Sequence, residues 1–111
     1  MAIVVYEKRT CTTCRKLAAL LAERGIDFER VEYQAEGLTE TELRDLLAKT
    51  GGSAADLLRM REQGARELAE ADDDTVIAAM AERPELLQRP IVVSGARAVL
   101  ARPIERALEV L

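Results

Sequence analysis

Residues 3–25 read IVVYEKRTCTTCRKLAALLAERG, and their pattern determines the architecture that follows. The β-branched apolar run Ile3–Tyr6 predicts a strand. After a polar loop, leucines recur at helical spacing from Thr12 to Arg24 before a glycine, which predicts a helix. The order is strand, loop, helix, and Cys11 and Cys14 fall where the loop meets the helix.

A second strand is expected around Phe28, Val31 and Tyr33, where charged residues suggest one solvated face. With the first strand and the helix it forms a βαβ unit, whose strands should be parallel and whose crossover should be right-handed.

The middle of the chain predicts helices. Thr39–Glu42 is a capping box before one helix, and Ser53–Asp56 is a weaker acidic variant before a second helix carrying Leu57 and Leu58. Three aspartates, Asp72–Asp74, cap a third, which Arg83 and Pro84 end.

The C-terminal part predicts two strands around Gly95, paired as an antiparallel hairpin, and a last short helix from Arg102-Pro103 to Leu111. We therefore expect an α/β fold with a mixed four-stranded sheet in the order β-α-β-α-α-α-β-β-α. With 111 residues the chain should form a single domain, residues 1–111, with a helical insertion at about 39–88.

Composition narrows the chemistry. The chain has 20 acidic and 16 basic residues, a net charge of -4 and only 3% aromatic residues, so direct nucleic-acid binding is not expected. It has no His, which excludes Ser/His/Asp and Cys/His catalysis and zinc sites that need an imidazole. No apolar run approaches a membrane span and the opening residues do not match a signal sequence, so we expect a cytoplasmic protein without membrane contact.

The two cysteines are the strongest chemical signal. At the start of a helix the sulfur of Cys11 can face free backbone N–H groups and the positive end of the dipole, which stabilise a thiolate. Nearby Lys8, Arg9 and Arg15 add positive charge, although Glu7 opposes it. Cys14 lies one helical turn on and on the same face, so the two sulfurs can meet on oxidation.

Three other interpretations of the motif compete with redox chemistry. Zinc would need four ligands and could be completed only by dimerisation, and a structural disulfide across so short a loop would stabilise little. Coincidence is the main alternative, but the placement between a strand and a helix favours a redox pair.

The chain resembles the thioredoxin-fold arsenate reductase family, the ArsC type, whose relatives include Spx-like regulators and YffB-like proteins. The resemblance spans Ile3 to about Leu108 and is carried by Tyr6–Arg15, Leu57-Leu58-Arg59, Arg89-Pro90-Ile91-Val92-Val93 and Arg102-Pro103.

That resemblance implies a thioredoxin/glutaredoxin-like sheet with a cis peptide bond before Pro90. It also implies an oxyanion site formed by the Cys11 thiolate together with three arginines. Those arginines fall here on Arg59, Arg89 and Arg102, and Thr13 and Arg15 are supporting residues of the motif. Arginine suits this task, because its planar fork donates two hydrogen bonds to an oxyanion and does not lose its charge.

The activity implied is reduction of arsenate to arsenite, with no bound cofactor or metal. Cys14 stands where the common family motif has Ser, which permits an intramolecular disulfide with Cys11. The external reductant would be thioredoxin, or glutathione with glutaredoxin.

Two other functions stay open. An Spx-like regulator would use Cys11 and Cys14 as a redox switch and bind RNA polymerase, with Gly52 in a contact loop. A general glutathione-dependent thiol/disulfide reductase would share the fold and Cys11 without needing three arginines. The complete arginine set favours the arsenate reductase.

Overall fold

A computed structural model describes residues 2–111, which form a mixed four-stranded sheet flanked by helices. The strands are β1 (Ile3–Glu7), β2 (Glu29–Glu32), β3 (Ile91–Ser94) and β4 (Arg97–Leu100), in the spatial order β2-β1-β3-β4. Strand β1 pairs parallel with β2 and antiparallel with β3, and β3 pairs antiparallel with β4. The predicted mixed sheet of four strands is confirmed.

Five α-helices accompany the sheet: α1 (Thr12–Glu23), α2 (Tyr33–Glu36), α3 (Glu40–Thr50), α4 (Ala65–Leu68) and α5 (Asp73–Glu82). Single turns of 3₁₀ helix cover Ala54–Leu57 and Pro84–Leu86, and a longer one covers Ile104–Glu109. No helix within residues 2–111 is long and apolar enough to cross a bilayer.

Local capping explains where the longer helices of the middle segment begin. The Thr39 side chain accepts a hydrogen bond from the backbone N–H of Glu42 at 3.1 Å, and the Glu42 carboxylate accepts from the N–H of Thr39 at 3.2 Å. Asp72 caps α5 in a similar way, because its carboxylate accepts from the N–H of Thr75 at 2.8 Å. Both start signals were readable in the sequence.

The prediction that Tyr33 lies in the second strand is wrong. Strand β2 ends at Glu32, where the Glu36 carboxylate accepts from the backbone N–H of Glu32 at 3.0 Å, and Tyr33 begins the one-turn helix α2. The turn places the Tyr33 side chain in the core, fully buried, with its hydroxyl donating to the Leu87 carbonyl at 2.6 Å.

The second predicted helix of the middle segment is also wrong. The box at Ser53 starts only one turn of 3₁₀ helix, and Leu58 then leaves it to pair with Leu87 in an antiparallel β-bridge. The closing helix after Pro103 is likewise 3₁₀, over Ile104–Glu109. In the first case a tertiary backbone pairing overrides the local helical signal.

Side chains alternate between two apolar clusters, one on each face of the sheet. Val5 of β1 and Val92 of β3 pack with Leu17 and Leu21 of α1. The strand residues next to Val5 and Val92 in sequence face the other cluster, which the sheet forms with the inserted helices. Helix α1 therefore covers one face of the sheet and begins beside the end of β1.

Candidate active site

Cys11 occupies the N-cap of α1. Its backbone N–H donates to the Lys8 carbonyl at 2.9 Å, and its carbonyl accepts from the N–H of Arg15 at 3.0 Å, which starts the helix. The sulfur is half-buried and faces the backbone N–H groups of Thr13 and Cys14, which lower its pKa. These are free donors of a helix start, which stabilise negative charge.

The surroundings of Cys11 favour its thiolate. Burial opposes ionisation, but the donors around the sulfur outweigh it and lower the pKa of Cys11 to about 7. In order of effect these donors are the Cys14 backbone N–H, the Cys14 thiol, the Arg89 guanidinium and the Thr13 backbone N–H. A large fraction of Cys11 is then charged at neutral pH, as a nucleophile requires.

Cys14 is the opposite kind of thiol. It is 2% exposed, and burial is the main reason why its pKa is raised to about 12. The hydrogen bond with Cys11 and repulsion from the charge of Cys11 also raise the pKa. The backbone N–H of Lys8 donates to its sulfur and lowers the pKa, an effect smaller than that of burial but larger than those of Cys11. Both cysteines are free thiols, and Cys11 ionises at a much lower pH than Cys14.

Arg59 is brought to the site by the bridge between Leu58 and Leu87. Its backbone N–H donates to the Leu86 carbonyl at 2.7 Å, and the N–H of Gln88 donates to the Leu57 carbonyl at 2.8 Å. The two chain segments that carry Arg59 and Arg89 therefore run side by side.

Arg89 and Arg102 both reach the Cys11 sulfur. One guanidinium nitrogen of Arg102, Nη2, lies 3.7 Å from the Cys11 sulfur, and Nε donates to the Arg89 carbonyl at 2.7 Å. The Arg89–Pro90 and Arg102–Pro103 peptide bonds are both cis. Arg89 is 6% exposed and donates to Cys11.

Two of the three arginines, Arg59 and Arg89, have buried donors without acceptors. The Nε and Nη1 atoms of Arg89 and the Nε of Arg59 are buried and have no hydrogen-bond partner. Glu62 lies 3.5 Å from the Arg59 Nε, without hydrogen-bond geometry. Burial and then repulsion from Arg89 and Arg102 lower the pKa of Arg59. An anion would supply acceptors for these donors.

A cleft of about 520 Å³ opens over these groups. Within residues 2–111 its lining contains five basic side chains and no carboxylate: Lys8, Arg59, Arg61, Arg89 and Arg102. In a chain with a net charge of -4 this is a local concentration of positive potential. The cleft suits an anionic ligand held against the Cys11 sulfur.

The supporting residues contribute differently. Thr13 gives its backbone N–H to the Cys11 sulfur, whereas the Arg15 side chain turns back and its Nε donates to the Arg9 carbonyl at 3.2 Å. Arg15 therefore braces the loop before Cys11.

Two contacts of the site were not expected from the sequence. The Gln88 side-chain oxygen accepts from Arg59 Nη1 at 3.0 Å and from the Arg89 N–H at 3.2 Å, joining two of the arginines. Tyr33 lies against Arg89 and holds the Leu87 carbonyl. A signal for Gln88 was available, because it directly precedes Arg89; nothing local marked Tyr33.

The described residues also bear on whether the chain could hold a metal ion. Across residues 2–111 no group of three or more Cys, Asp or Glu side chains lies together in a way that could hold a metal ion. The site described above consists of thiols and guanidinium groups.

Comparison with known proteins places the chain in a family. The sequence is 36% identical to the uncharacterized protein YfgD of Escherichia coli strain K12, over 97% of this chain and 95% of that protein. It is 34% identical to an arsenate reductase of Neisseria meningitidis, over 98% of this chain and 97% of that protein. An arsenate reductase structure from Vibrio cholerae superposes with a TM-score of 0.92 and 34% identity, covering 100% of this chain and 98% of that one. The sequence pattern of the ArsC family matches residues 6–110, and the chain belongs to that family.

Proposed function

We propose that the chain is an arsenate reductase that uses Cys11 as nucleophile, Arg59, Arg89 and Arg102 as the oxyanion site, and Cys14 as resolving thiol. The observation that carries the proposal is the convergence of guanidinium donors on the Cys11 sulfur in a cleft whose described lining has no carboxylate. Relatives named arsenate reductase, with 34% identity over nearly the whole chain, support the choice of substrate.

In the first step the Cys11 thiolate attacks arsenic, and a sulfur–arsenic bond forms. An oxygen of arsenate leaves as water after taking up protons, and the three arginines stabilise the negative charge on the other oxygens. An anionic nucleophile reaches an anionic substrate here because the cleft is cationic.

In the second step Cys14 attacks the Cys11 sulfur. The sulfur–sulfur bond forms, the sulfur–arsenic bond breaks and its electron pair stays on arsenic, which leaves as arsenite. Overall, arsenate and two thiols give arsenite, one disulfide and one water. The disulfide is returned to thiols by thioredoxin, or by glutaredoxin with glutathione, in a reducing cytoplasm.

The test is arsenate-dependent NADPH oxidation, coupled either to thioredoxin and its reductase or to glutathione and glutaredoxin. We expect activity from the unaltered protein and none from Cys11→Ser. Arg89→Ala should lose about 100-fold or more in kcat/KM, because a buried donor to the developing charge is removed. Arg97→Ala is the matched control, since Arg97 is an exposed arginine of β4 outside the cleft.

Two outcomes would contradict the proposal. One is equal loss in Arg89→Ala and Arg97→Ala, which would mean that Arg89 has no special role. The other is an absence of arsenate turnover in both coupled systems together with retention of RNA polymerase by the oxidised protein, which is the result expected of an Spx-like regulator.

A further inference from the structure

Glu7 is a buried carboxyl group that the reaction described above does not use. It is 2% exposed, and its Oε1 atom is buried without a hydrogen-bond partner. Its other oxygen lies 3.7 Å from Arg30 Nη1, and Arg30 is itself half exposed. A carboxyl group with an unused buried oxygen is costly to retain, so its position calls for an explanation.

The fold sets Glu7 under the first turn of α1. Alternation along β1 puts Glu7 on the same face as Val5, which packs against Leu17 and Leu21 of α1. Helix α1 runs back along the sheet from the end of β1, so its buried residue nearest Glu7 is Cys14. The Cys14 sulfur accepts from the backbone N–H of Lys8, one residue after Glu7.

The second step of the reaction needs a proton acceptor at this place. In the resting protein the Cys14 thiol donates to the Cys11 thiolate. Once Cys11 has formed a bond to arsenic, its sulfur carries no negative charge and is a poor acceptor. Cys14 must then lose its proton elsewhere before it can attack.

We propose that Glu7 is the general base that takes the proton of Cys14 as Cys14 attacks the Cys11 sulfur. The inference rests on the proposed function only in making Cys14 the resolving thiol. The sulfur–sulfur bond forms, the Cys14 proton passes to the Glu7 carboxylate, and reduction of the disulfide returns the proton to the thiol. Glu7 is the buried carboxyl group on this side of the sheet within residues 2–111, and its Oε1, which has no hydrogen-bond partner, is free to accept a proton.

The charged groups around Glu7 fit this role. Burial raises its pKa, which makes it a stronger base, and Arg30 acts in the opposite direction. Glu32, beside it on β2, raises the pKa further, and Arg9 lowers it. Glu7 in turn raises the pKa of Cys14.

The sign of this last effect gives a sharp test. If Glu7 acted only as a charge, Glu7→Gln would make Cys14 easier to ionise and its attack faster at neutral pH. If Glu7 is the base, the same substitution makes the attack slower. The two roles therefore predict opposite changes in one rate.

The rate can be measured without arsenate, by mixing the reduced protein with the aromatic disulfide dithiobis(nitrobenzoate). Cys11 attacks the reagent in a first phase, forming a mixed disulfide and releasing one coloured thiolate. Cys14 then attacks the Cys11 sulfur in a second phase, closing the protein disulfide and releasing the other. Cys14→Ser, which lacks the second phase, identifies it.

We expect Glu7→Gln to slow the second phase at pH 7 by at least about tenfold and to leave the first phase unchanged. The defect should shrink as pH rises and hydroxide replaces the base, and Glu7→Asp should restore part of the rate. Glu29→Gln is the control, because Glu29 is an exposed carboxylate on the adjacent strand β2.

A second phase in Glu7→Gln that is as fast as in the unaltered protein, or faster, would overturn the assignment. If Glu7→Gln does not fold, the pH profile of the second phase in Glu7→Asp decides in its place, and an unshifted profile overturns the assignment equally. If the unaltered protein does not reduce arsenate but shows both phases and the dependence of the second on Glu7, only the proposed function is contradicted.

Discussion

At Cys11, burial and hydrogen bonding oppose each other, and their balance sets the pH range in which this thiol is charged. The pKa of about 7 lies below the ordinary value of 9.0, so the thiolate persists above about pH 7 and is lost as the pH falls through that value. We expect the rate of Cys11 alkylation by iodoacetamide to rise between pH 6 and 8 and then level off. The ultraviolet absorbance of the thiolate should change with pH in the same way.

The donors named above give this prediction its control. Arg89→Ala removes one of them and should move the midpoint of Cys11 alkylation upward, whereas Arg97→Ala should leave it in place. A midpoint near 9 in the unaltered protein would show that the helix start and Arg89 do not stabilise the thiolate.

At the scale of elements, the site depends on two chain segments held side by side. Leu58 and Leu87 form the β-bridge, and Gln88 ties Arg59 to the backbone of Arg89. Gln88→Ala should therefore loosen both arginines, raising KM for arsenate more than it lowers kcat, at a cost of about 1 kcal/mol in the free energy of unfolding. Steady-state kinetics and urea unfolding measure the two effects.

Gln63→Ala is the matched variant for this experiment, since Gln63 is exposed and does not line the cleft. If Gln88→Ala has the same KM as Gln63→Ala, the link between the arginines has no part in binding the anion.

The same elements show which parts of the fold and the site could be predicted from the sequence. The strand, loop and helix start around Cys11 and Cys14 are contiguous, so local pattern sufficed to predict their arrangement. Arg59, Arg89 and Arg102 are far apart in the chain, and only family resemblance connected them. The Tyr33 hydroxyl donates to the Leu87 carbonyl, and Leu58 pairs with Leu87 in a β-bridge. Leu87 is more than 25 residues from either, so local sequence pattern could not predict these two contacts.

For the whole molecule, we propose that residues 1–111 form one cooperative domain. The two apolar clusters share the strands of a single sheet, and the Cα radius of gyration of 13.2 Å is that of one compact unit of this length. We expect far-ultraviolet circular dichroism and thiol accessibility of Cys14 to report the same urea midpoint. Separate midpoints would show that the inserted helices unfold independently of the sheet.

The most direct test of the proposed mechanism is a single turnover of the reduced protein with arsenate in the absence of any other thiol or reductase. We expect each molecule to release one arsenite and to lose its two thiols together, as the Cys11–Cys14 disulfide closes. Cys14→Ser should release no arsenite under the same conditions, because it has no second thiol to displace arsenic from Cys11. Arsenite release by Cys14→Ser, or thiol loss without arsenite in the unaltered protein, would contradict the mechanism.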